Sequence, residues 1–67
     1  MRNALPDRRQ DRGWSQQRLA DELGVSRQTV ISLEKGRFDP SLPLAFRLAA
    51  TFGCTIEDLF FPDDEDA

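Results

Sequence analysis

Sixty-seven residues suffice for one small domain, and a domain of this size buries only about 60% of the surface its unfolded chain exposes, which leaves little material for a deep catalytic cleft. One cysteine and no histidine exclude an internal disulfide and a zinc site of the Cys/His type, and they remove the commonest general base. The net charge of −3 hides an asymmetry: residues 1–37 hold eight Lys/Arg against five Asp/Glu, a balance of +3, whereas residues 38–67 hold one Arg against seven Asp/Glu, a balance of −6.

A basic half can approach phosphates while the acidic half stays away from them. No apolar run is long enough to span a bilayer, and no apolar stretch of secretory type follows Met1-Arg2-Asn3-Ala4, so a cytoplasmic location is expected. Cys54 fits a reducing compartment and reads as a small core residue. The run Asp63-Asp64-Glu65-Asp66 reads as a solvated tail, which divides the chain into a domain at 1–62 and a disordered acidic tail at 63–67.

Five helices are predicted, and no segment alternates apolar and polar residues long enough for a convincing strand. Asn3 can cap a first helix that runs to about Arg12, with Pro6 in its first turn and Gly13 beyond its end. Ser15 caps a second helix, Gln16 to Leu23, which places Leu19, Ala20 and Leu23 on one face before Gly24 stops it. Ser26 caps a third, Arg27 to about Lys35, with Val30 and Leu33 inward and Gly36 after it. Ser41 caps a fourth, in which Leu44, Leu48 and Phe52 recur at helical spacing. Thr55 caps a short fifth, Ile56 to Phe60, with Glu57 and Asp58 in its first turn and Pro62 closing it.

The stretch from Ser15 to Gly36 carries the functional signal. Two helices of about two turns each flank the short turn Gly24-Val25-Ser26, which forces a steep crossing. Ala20 is small where those helices would meet, and Val25 can plug the gap between them. The outer face of the third helix opens with Arg27 and Gln28. Arg can bond guanine O6 and N7 in parallel, and Gln can do the same with adenine N6 and N7. Ser32 shares this outer face, as does Ile31, which either touches a thymine methyl or lies half buried.

Residues 4–60 resemble the Cro/C1-type helix-turn-helix family, also called the XRE family. The matching text is Gly13-Trp14-Ser15-Gln16-Gln17-Arg18-Leu19-Ala20, Leu23-Gly24-Val25-Ser26-Arg27-Gln28-Thr29-Val30, Leu33-Glu34-Lys35-Gly36-Arg37, Pro40-Ser41-Leu42 and Ile56-Glu57-Asp58-Leu59-Phe60. The resemblance implies an all-α, compact five-helix fold of the lambda-repressor type, with the DNA-binding unit at helices two and three. By position it implies base contacts from Ser26, Arg27, Gln28 and Ser32, with Ile31 beside them. It implies phosphate contacts from Gln16, Thr29, Lys35 and Arg37, and a salt bridge between Arg9 and Glu34. Three positions depart from the family pattern. Trp14 replaces the usual Leu or Met, Arg8 stands where many members are apolar, and Arg18 replaces the common Glu, so the reciprocal capping box of the second helix is lost.

A single recognition helix reads about four base pairs, so a symmetric dimer spanning half-sites roughly 34 Å apart is expected. The resemblance implies dimerisation through the C-terminal part of the domain, where Leu59, Phe60 and Phe61 form an apolar cluster. The expected partners are double-stranded DNA and a second copy of the chain, with no membrane, small-molecule effector, cofactor or catalysis. The competing reading is a protein-interaction module, an antitoxin or adaptor, that uses the same fold.

Overall fold

The computed structural model describes residues 2–37 and 39–61. In chain order the elements are β1 (Arg2–Asn3), α1 (Leu5–Asp11), α2 (Gln16–Leu23), α3 (Arg27–Glu34), α4 (Leu42–Phe52), α5 (Ile56–Leu59) and β2 (Phe60–Phe61). The expected tail at 63–67 and the closing Pro62 lie outside the described residues. Among the described residues no helix is long and apolar enough to cross a membrane.

Side-chain hydroxyls set four of the helix starts. Ser15, Ser26, Ser41 and Thr55 each accept the backbone N–H three residues on, from Arg18, Thr29, Leu44 and Asp58, at 3.0–3.3 Å. Each satisfies a donor that the first helical turn leaves orphaned. Gly24 and Gly53 end α2 and α4 at φ values of 73° and 65°. A Cβ at either would meet nothing within 4 Å, so the left-handed backbone, and not crowding, is what favours glycine there.

Apolar faces of all five helices meet in one core, in which Leu5, Leu19, Ala20, Val30, Leu48 and Leu59 are fully buried or nearly so. Ala20 is inaccessible at the close approach of α2 to α3, and Val25 packs half buried against the same cluster. Arg47 Nη1 donates to Leu23 O at 2.7 Å, tying α4 to the carbonyl end of α2 just before the turn. Trp14 packs against Phe52 with ring centroids 5.9 Å apart. The guanidiniums of Arg12 and Arg18 lie over the Trp14 ring at 5.2 and 4.8 Å from its centroid.

The first helix begins differently from the sequence expectation. Ala4 is the cap residue of α1, without a side-chain cap bond. Asn3 Oδ1 does accept the Leu5 N–H at 3.1 Å, but Asn3 sits in an antiparallel two-stranded ladder, opposite Phe60, with Arg2 opposite Phe61. The strands were not foreseen, because two residues are too few for alternation to show. They arise where the chain ends meet: Ala4 N donates to Leu59 O at 2.8 Å and Asn3 Nδ2 to Leu33 O at 2.8 Å. Helix α5 accordingly ends at Leu59, one residue early, because Phe60 turns extended to join the ladder.

Thr55 and Asp58 form a reciprocal capping box, with Asp58 Oδ2 accepting Thr55 N at 3.0 Å. Hydrogen bonds from the Thr55 backbone and then its hydroxyl hold the Asp58 carboxyl below its ordinary value of 3.8, with the charge of Arg8 assisting. A depressed carboxylate pKa stabilises the fold above the unfolded value, and that contribution disappears as pH falls through the folded value. Asp58→Asn is therefore expected to flatten the fall of melting temperature between about pH 4 and pH 2. Parallel acid limbs in wild type and variant would rule this out.

Candidate nucleic-acid interface

The chemistry of α3 is decided by where its one acid goes. Glu34 turns inward and accepts two bonds from Arg9, from Nε at 2.6 Å and from Nη2 at 3.3 Å. A third comes from Gln16 Nε2 at 3.1 Å. The two ionic side chains are 12% and 7% exposed, so this pair is held largely out of water. Arg9 Nη1 also donates to Trp14 O at 2.8 Å, which binds α1, the turn before α2 and the end of α3 into one unit. The outer face of α3 is thereby left with no carboxylate, and it carries the exposed Arg27 and Gln28, with Ser32 beside them.

Arg27, at the first position of α3, and Lys35 and Arg37, past its end, have exposed side chains with no hydrogen bond or ion pair among the described residues. Gln28 Nε2 reaches Ser32 Oγ at 3.4 Å, one turn on. Ser26 caps α3 through its Oγ and lies 2.9 Å from Thr29 Oγ1, so its hydroxyl is already engaged. Ile31 is half buried on the flank. Gln16 is half buried at the start of α2, with its amide turned toward Glu34. Arg18 is committed elsewhere, to Glu22 Oε2 at 2.8 Å and to the face of Trp14. The three residues expected at a dimer interface separate: Leu59 and Phe60 are buried in the chain's own core, and Phe61 alone is exposed, at 37%.

A helix-turn-helix family model matches residues 7–59, which takes in α2, α3 and most of the domain. The chain belongs to the Cro/C1-type, or XRE, helix-turn-helix family. It is 50% identical over 66 residues to an HTH-type transcriptional regulator of Methanocaldococcus jannaschii, covering 98% of this chain and 100% of that one. It is 40% identical over 65 residues to the HTH-type transcriptional regulator YgzD of Bacillus subtilis, covering 97% and 98%. A crystal structure of a hypothetical transcription factor, NHTF, from Neisseria superposes with a TM-score of 0.72 at 32% identity, covering 88% of this chain and 66% of that one.

Within this XRE domain, three features of the site escaped the residue pattern. The Asn3 amide holds the last turn of α3, Arg47 holds the end of α2, and the Gln16 amide joins the Arg9–Glu34 pair. Each partner is a backbone carbonyl or an already paired carboxylate, and neither leaves a mark in sequence spacing. Among the described residues no cluster of His, Cys, Asp or Glu could hold a metal ion.

Proposed function

We propose that the protein is a transcriptional regulator, a repressor, that binds a palindromic duplex operator as a homodimer with α3 of each copy in the major groove. What supports this most directly is the face of α3: cations and amides outward, its single carboxylate neutralised inward by Arg9 and Gln16. The relatives named above are themselves called HTH-type transcriptional regulators. Arg27 and Gln28 are the principal readers, at the helix end that enters the groove, with Ser26, Ile31 and Ser32 lining the same contact. Gln16, Thr29, Lys35 and Arg37 grip phosphates and set register.

Selection of random duplex DNA on the purified protein tests this reading. A palindrome of two short half-sites is the expected product, and no enrichment at any salt concentration would overturn it. Arg27→Ala is expected to lose about 1–3 kcal/mol at one base pair per half-site and to relax preference there. An Arg27→Ala protein with the wild-type site preference would remove Arg27 from the readout. Transcription in vitro from a promoter overlapping the selected site should fall as protein is added; a rise would replace repression with activation.

A further inference from the structure

The exit turn of α3 is held by a side chain from the start of the chain. Arg37 N donates to Ser32 O and Gly36 N to Leu33 O, each at 3.0 Å, and Gly36 takes a φ of 70°. These two bonds close the helix end in a Schellman turn, with Lys35 and Arg37 on either side of the left-handed glycine. Leu33 O also accepts Asn3 Nδ2 at 2.8 Å, so its second lone pair is filled from outside α3. The Asn3 amide can face only one way. Its Oδ1 accepts the Leu5 N–H at 3.1 Å, and a half-turn of the amide would set donor against donor and carbonyl against oxygen. The backbone of Asn3 is fixed in turn, since Asn3 pairs with Phe60 and the N–H of Ala4 bonds to Leu59 O.

We propose that Asn3 is a positioning residue for DNA binding: its amide fixes the exit turn of α3 so that Lys35 and Arg37 stand where the duplex backbone passes. This rests on the reading of those two cations as phosphate contacts. Both side chains are exposed and have no hydrogen bond or ion pair among the described residues, so the backbone of the turn alone sets their aim. Arg9 does not duplicate the role. It grips the Glu34 side chain, which has torsions of its own, whereas Asn3 grips a main-chain carbonyl inside the turn. Arg27 and Gln28 stand at the other end of α3, on a start capped by Ser26, and do not depend on this tether. Loosening it therefore costs grip and spares base preference.

Asn3→Ser separates the two bonds of the amide. A serine hydroxyl still takes the Leu5 N–H in a local turn, but it is one bond shorter and does not span to Leu33 O. Loss of one neutral hydrogen bond should lower the melting temperature by about 4–8 °C and leave the domain folded at about 15 °C, which circular dichroism verifies. Without DNA, amide hydrogen exchange at Gly36 and Arg37 should speed by at least about tenfold, more than the global change that Leu48 reports. Operator affinity should fall about tenfold with site preference unchanged. In a protein already carrying Lys35→Ala and Arg37→Ala, Asn3→Ser should cost less than about twofold, because the cations it positions are gone; beside Arg27→Ala its full cost should remain. Unchanged exchange at Gly36 and Arg37 overturns the tether without reference to DNA. Unchanged affinity, or a cost that persists in the absence of both cations, overturns the positioning role and leaves the phosphate reading standing. Lys35→Ala and Arg37→Ala proteins that bind like wild type overturn the phosphate reading, and the positioning role with it.

Discussion

Glu34→Ala is expected to lower stability by about 3 kcal/mol, a drop of about 12–24 °C in melting temperature for a domain of this size. The substitution leaves the Arg9 guanidinium in a site only 12% exposed, with Trp14 O as its remaining partner. An unpaired cation held out of water is the costly species, more costly than the loss of one attraction. Arg9→Leu combined with Glu34→Leu should therefore recover most of the loss, because neither charge is then left behind. Thermal melts followed by Trp14 fluorescence read both variants, and the double-mutant cycle isolates the coupling. A loss below about 1 kcal/mol for Glu34→Ala would mean that water screens the pair as it screens surface ion pairs. The consequence for DNA is separate from stability. The end of α3 would keep the Asn3 bond to Leu33 O but lose its link to α1, and Gln16 would lose its carboxylate.

The helices were legible in the sequence because their punctuation is local. A hydroxyl three residues before an N–H, or a glycine that takes a positive φ, acts within one turn. The Cro/C1 pattern added the Arg9–Glu34 pairing, which no periodicity could supply, since 25 residues separate the partners. What stayed hidden depended on how the chain ends meet and on which side of α4 is covered. Leu44, Leu48 and Phe52 lie along the packed side of that helix, whereas Leu42 and Phe46 lie on its flank, exposed, in a segment apolar nearly all round. Such a segment does not announce which face is core. The C-terminal aromatics misled in the other direction. Phe60 reads as surplus next to a charged tail, yet the two-residue ladder with Asn3 folds it back over the core.

Operator affinity is expected to fall about 10²-fold as salt rises from about 50 to 200 mM. The net charge of −3 alone would argue against any such dependence. Counterion release, however, counts the cations that reach phosphates, not the sum over the molecule. Four of the basic side chains are already committed: Arg9 to Glu34, Arg18 to Glu22, Arg12 to Thr51 O and Arg47 to Leu23 O. Arg27, Lys35 and Arg37 carry no such bond, and all three lie along or just past α3. Of these, Lys35 and Arg37 are the phosphate-gripping pair, so two copies bring about four cations to phosphates, which gives a slope near −4 for the logarithm of affinity against that of salt. Arg37→Ala should make the slope shallower by about one unit per copy and weaken all sequences alike, in contrast to Arg27→Ala. A salt-independent affinity would mean that these cations do not meet phosphates. The fold would then serve to hold a protein partner, with the acidic second half as the natural place to look for a basic one.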